Sequence, residues 1–123
     1  NYPLLLDKMK EAIKYFEGEH DFRAFVTENK EKENCVRTIK KAKITLDKEN
    51  KEEVIFTFIG NGFLRYQVRN MVGILLKVGT GKIEPEIVKE VLESKERGKH
   101  GSRAPACGLC LKNVVLKMER KSF

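Results

Sequence analysis

Within three residues of Gly60 the hydrophobic period of this chain changes. Val54, Phe56 and Phe58 alternate with Ile55, Thr57 and Ile59, the two-residue period of a strand ending near Asn61. After Gly60-Asn61-Gly62, the residues Leu64, Val68, Met71, Val72, Leu75 and Leu76 recur along one broad stripe of a helix running from Phe63 to Val78. A strand, a glycine-rich turn and an amphipathic helix in direct succession fit neither an all-α nor an all-β domain. The helix must cover its stripe, and the nearest apolar surface is the face of a sheet.

The rest of the pattern agrees. Leu4, Leu5, Met9, Ala12, Ile13 and Phe16 space a first helix from Pro3 to Phe16, which stops at Gly18. Residues 19–25 read as a short turn with two aromatics, and the polar stretch Thr27 to Asn34 as an exposed loop. Alternation from Val36 to Leu46 predicts a half-buried strand, with Val36, Thr38, Lys40, Ala42, Ile44 and Leu46 on one side. This strand and the next form an antiparallel hairpin across the Asp47 to Glu52 turn. Pro85 opens a shorter helix through Val88, Val91 and Leu92. Residues 94–107 make a basic loop, long for a connector, before a final strand from Leu109 to Lys117 with an irregularity near Asn113. The expected fold is α+β: one domain over 1–123, an antiparallel sheet with helices packed mainly on one face.

Charge narrows the partners. The formal net charge is +7, and its excess sits in two blocks: residues 62–83 contain no acid, and residues 95–123 set eight Lys and Arg against Glu96 and Glu119. Such clustering is the footprint of a polyanion binder. Because the basic residues lie on mixed elements, an acidic lipid surface is a poorer fit than nucleic acid. No apolar run is long enough to span a bilayer and no secretory segment is present, so the chain reads as soluble and cytoplasmic, with reduced thiols. The chain begins at Asn1 without an initiator Met and runs straight into a helix, which points to a piece of something longer.

Three constellations have chemical and structural readings. Cys107 and Cys110 have the spacing of a metal or redox pair, but zinc needs about four ligands and only Cys35, His20 and His100 remain, scattered through the chain. No metal is assigned. His20 and Asp21 are adjacent and so face apart, and Asp21 reads as a cap for the following turn. Phe22 and Phe25 read as core. Arg69 is different. It flanks the apolar stripe of the central helix just after a Gly-Asn-Gly turn, and a charge at that boundary is costly unless it meets a carboxylate or a phosphate. Nothing close in sequence supplies one.

Phe63-Leu64-Arg65-Tyr66-Gln67-Val68-Arg69-Asn70-Met71-Val72-Gly73, with Gly18-Glu19-His20-Asp21-Phe22-Arg23-Ala24-Phe25, Val36-Arg37-Thr38-Ile39 and Ala104-Pro105-Ala106-Cys107-Gly108-Leu109, resembles the tRNA pseudouridine synthase A (TruA) family, C-terminal half only. The resemblance runs from about Leu4 to Lys117. It implies isomerisation of uridine to pseudouridine in the tRNA anticodon arm, without cofactor or metal, by a protein that works as a homodimer. Arg69 matches the family's active-site arginine, which pairs with the catalytic aspartate of the N-terminal half, and Leu109 matches an apolar residue walling the same pocket. The family's Gly-Arg-Thr-Asp-Ala-Gly motif, which carries the nucleophile, is absent here, so this chain alone is expected to be inactive. On charge and position, Arg65, Lys95, Arg97, Lys99, His100 and Arg103 are expected to contact RNA. The alternative is a stand-alone, non-catalytic RNA-binding module.

Overall fold

The structure is a computed structural model that describes residues 4–26, 34–46, 49, 53–64, 67–95 and 113–121. In chain order the elements are helix α1 (Leu6–Ile13), which tightens into a 3-10 turn over Lys14–Phe16, strand β1 (Gly18–Asp21), a 3-10 turn over Arg23–Phe25, strands β2 (Val36–Leu46) and β3 (Glu53–Gly60), helices α2 (Gln67–Gly79) and α3 (Pro85–Ser94), and strand β4 (Asn113–Arg120). The sheet order is β1-β2-β3-β4.

The α+β class holds, and the core lies between the helices and one face of the sheet. Val54, Phe56 and Phe58 of β3 are buried together with Met9, Ile13 and Phe16 from the first helical segment, most of α2, and Val88, Val91 and Leu92 of α3. Their alternating neighbours on β3 are only half-buried, as one-sided packing requires. Phe16 meets Phe25 edge-on, with ring centroids 5.3 Å apart, and stands 6.4 Å from Phe22, so these aromatics are core as expected.

Four features of the strands differ from the sequence expectation. First, Gly18–Asp21 is a strand, pairing antiparallel with Val36–Ile39 of β2 at the sheet's edge. Second, β2 does not alternate uniformly. A bulge lies between Ile39 and Lys41, which pair with Gly60 and Ile59, so the pairing register skips Lys40. The bulge shifts the phase, placing Ile39 as well as Ala42 and Ile44 in the core while Lys40 is exposed. Third, β4 begins at Asn113 and runs past Lys117 to Arg120; the expected segment from Leu109 to Lys112 lies outside the described residues. Fourth, β4 runs parallel to β3, from Glu53↔Asn113 to Gly60↔Arg120, so the sheet is mixed though mostly antiparallel. A long crossover carrying two helices separates the two strands, which is what a parallel pairing needs.

Beyond Ile39, β1 no longer covers β2, and two side chains take its place. Glu17 Oε2 accepts the Ala42 N–H at 2.9 Å while Lys14 Nζ donates to the Ala42 carbonyl at 3.3 Å. The two side chains also pair with each other at 3.4 Å. A helix end thus completes an edge that would otherwise present unpaired backbone.

Most of the expected loop from Thr27 to Asn34 and of the Asp47 to Glu52 turn lies outside the described residues. Among the described residues, no helix is long and apolar enough to cross a membrane, and no group of three His, Cys, Asp or Glu residues could hold a metal ion. Cys35 is buried and in no disulfide among the described residues, whereas Cys107 and Cys110 are outside the described set.

Candidate active-site arginine on the first turn of α2

The site is built from the junction between β3 and α2. At Gly60 the chain passes so close to β2 that a Cβ would lie 2.9 Å from the Thr38 carbonyl oxygen. Asn61 extends the pairing by one residue: its N–H donates to Thr38 O at 3.0 Å and its Oδ1 accepts the Thr38 N–H at 2.9 Å. Gly62, Phe63 and Leu64 then cross to the helix, Gly62 buried and the other two half-buried against the core. Phe63 and Leu64, expected within the helix, therefore lie outside it as a packed lead-in, and α2 is described from Gln67.

Gln67 fixes the start. Its Oε1 accepts the Leu64 N–H at 2.8 Å while its own N–H donates to the Leu64 carbonyl at 3.0 Å, a reciprocal cap of the capping-box kind. Three residues on, Asn70 Nδ2 donates to the Phe25 carbonyl at 2.6 Å and ties the helix to the Arg23–Phe25 turn. That turn is itself held by Asp21, whose Oδ1 accepts the Arg23 N–H at 3.0 Å and whose Oδ2 lies 3.5 Å from Arg23 Nη2. Asp21 thus holds the turn by its side chain, although the N-cap position itself is Phe22 and not the expected Asp21. The neighbouring His20 faces elsewhere, with Nε2 2.8 Å from the Glu17 carbonyl and its ring edge-on to Phe22.

Between these two anchors stands Arg69. It is the half-buried residue in a first turn otherwise buried, flanked by Val68 and Asn70. The first turn of α2 contains no acid, so the partial positive charge of its leading N–H groups reinforces the guanidinium. Such a place favours an anion, and a planar carboxylate or phosphate edge suits the guanidinium fork.

Of the other expected site residues, Lys95 is exposed at the end of α3, in a left-handed conformation with φ 55° and ψ 24°. Arg65, Arg97, Lys99, His100, Arg103 and Leu109 lie outside the described residues. Sequence reasoning missed Gln67 and Asn70, which the amphipathic pattern assigns to no buried face. The available signal was that polar amides interrupt a helix whose flanks are almost entirely apolar.

A family model described as tRNA pseudouridine synthase matches residues 12–115. The chain is 47% identical over 118 residues to "tRNA pseudouridine synthase A" of Streptococcus agalactiae, covering 96% of this chain and 45% of that protein. It is 45% identical over 118 residues to the protein of the same name from Ligilactobacillus salivarius, covering 96% and 46%. To "tRNA pseudouridine synthase A 1" of Bacillus cereus it is 42% identical over 113 residues, covering 92% and 44%. The chain therefore spans about half the length of the curated relatives it matches, and with most of its residues inside the family model it belongs to the tRNA pseudouridine synthase A family.

Proposed function

We propose that this chain is the C-terminal half of an enzyme that isomerises uridine to pseudouridine in the anticodon arm of tRNA, and that Arg69 holds the catalytic aspartate supplied by the N-terminal half. Uridine and pseudouridine are isomers. The reaction adds no atoms and transfers no net electrons, so it needs no redox cofactor. What it needs is a target base taken out of its stack and a carboxylate kept ionised and aimed at it. A guanidinium on a rigid first turn, in the field of a helix N-terminus, does both for the carboxylate.

The observation that carries this reading is the position of Arg69: a half-buried cation on an otherwise buried, acid-free first turn. In this reading Leu109 walls the pocket, and Arg65, Lys95, Arg97, Lys99, His100 and Arg103 contact tRNA phosphates. A homodimer of the joined halves is the working form.

The test uses the full-length protein encoded by the reading frame containing this chain. Removing one partner of a desolvated ion pair costs about 3–5 kcal/mol. Arg69→Ala should therefore slow pseudouridine formation by about 10²–10⁴-fold, with tRNA affinity nearly unchanged. A Lys99 and Arg103 double alanine variant should do the reverse, weakening binding and flattening its salt dependence by about one to two units of log–log slope. Wild-type rates in Arg69→Ala would sink the assignment. A reading frame that binds tRNA but lacks the Gly-Arg-Thr-Asp-Ala-Gly motif would favour a non-catalytic RNA-binding module.

A further inference from the structure

Among the described residues, the two polar side chains buried in the core are Gln67 and Asn70, both fully enclosed and both on α2 beside Arg69. Neither helps the core as an apolar residue would. An amide withdrawn from water is unfavourable unless every polar atom is bonded, and Asn70 Oδ1 is buried without a hydrogen-bond partner. The opposite amide orientation would set that oxygen against the Phe25 carbonyl, so the donor must face Phe25. Gln67 makes only a weak second contact, Nε2 to Met71 Sδ at 3.6 Å. What each amide gains is one directed bond to backbone outside the helix. The Leu64 N–H sets where α2 begins, and the Phe25 carbonyl sets how its first turn is rotated.

Residues three apart share a helix face, and Arg69 projects from a different azimuth. A guanidinium reaches about 9 Å from a helix axis whose Cα radius is about 2.3 Å, so a rotation of about 10° displaces it by about 1.6 Å. Misplacement of about 1 Å at a reacting centre costs about 10²-fold in rate.

We propose that Asn70 and Gln67 are positioning residues, which hold the first turn of α2 at the rotation and height from which Arg69 meets its carboxylate. The proposal rests on the reading of Arg69 given above. It also assigns the Asp21–Phe25 turn a role as the fixed point of this chain of bonds: Asp21 holds the Arg23 N–H, the turn presents the Phe25 carbonyl, and Asn70 holds that carbonyl.

The experiment is a double-mutant cycle in the full-length protein, with single-turnover pseudouridine formation, tRNA affinity and urea unfolding measured for each variant. Asn70→Ala and Gln67→Met should each lower the rate by about 10- to 100-fold while leaving tRNA affinity within about twofold. In an Arg69→Ala background the same substitutions should change the residual rate by less than about twofold, because they act through Arg69. Losses that multiply in that background would overturn the proposal, as would unchanged rates in both single variants. Failure of both to fold would mean that the amides serve stability, and would overturn it equally. An Arg69→Ala enzyme of wild-type rate would remove the reading of Arg69 itself, and this inference with it.

Discussion

Gly60→Ala tests the junction that delivers the chain to the site. The added Cβ would lie 2.9 Å from the Thr38 carbonyl oxygen and 3.3 Å from the Phe63 ring. The ring can turn aside, but the carbonyl belongs to β2 and already accepts the Asn61 N–H at 3.0 Å. Ordinary contact requires a retreat of about 0.5 Å, which weakens that hydrogen bond, worth about 1 kcal/mol. The accompanying backbone shift adds about 1–3 kcal/mol. Alanine also restricts the unfolded chain and returns about 0.4–1 kcal/mol. The expected net loss is about 1–3.5 kcal/mol, read as a lower urea midpoint with an unchanged slope. A loss below about 0.5 kcal/mol would refute the reasoning, because it would mean that the Thr38 carbonyl yields freely and that no tight contact joins β2, β3 and the lead-in to α2.

Two further substitutions test separate details. Glu17→Ala removes the acceptor for the Ala42 N–H and should cost about 1–2 kcal/mol, with faster hydrogen exchange at Ala42; unchanged exchange would show that the carboxylate does not complete the strand edge. Lys95→Gly relieves a left-handed backbone at φ 55° and should raise stability by about 0.5–1 kcal/mol, seen as a higher Tm, whereas a fall would indicate that the lysine side chain itself supports the end of α3.

The sequence encodes the elements more fully than it encodes their relations. Val36 to Leu46 is a strand because its β-branched and alternating residues suit a pleated surface, and Pro85 opens α3 because a proline at a helix start loses no hydrogen bond. Strand β1 is different: Gly18, Glu19, His20 and Asp21 carry no apolar alternation, and they are extended because β2 offers them backbone partners. The bulge at Lys40 is equally tertiary, since an unbroken alternation would send Ile39 away from the core. The parallel direction of β4 depends on how the crossover travels, about which a period of two says nothing. At the site, Arg69 could be picked out because a charge beside an apolar stripe demands explanation. Gln67 and Asn70 interrupt that apolar pattern, but the interruption alone does not separate a buried amide from one on a solvated face.

The charge pattern gains meaning only once it is folded. Residues 62–83 lack acids, and the acids that follow in sequence, Glu84, Glu86, Glu90 and Glu93, are exposed at the start and along the outside of α3, with Glu84 3.3 Å from Lys8. They lie on a separate helix with a solvated face, where their fields are largely screened within about 10 Å at ordinary salt. The first turn of α2 itself thus carries no acid to offset its N-terminal dipole or Arg69. Phosphate and carboxylate would both be drawn to it, so charge alone does not select the partner. Rigidity can select it. A guanidinium on a turn held at both ends engages a planar carboxylate in a two-point, fixed orientation, whereas mobile lysines suit phosphates, which need only be neutralised. If Arg69 plays the role proposed for it, the bonds made by Gln67 and Asn70 suit it to hold a carboxylate, and loosening them should reduce catalysis while leaving tRNA affinity in place.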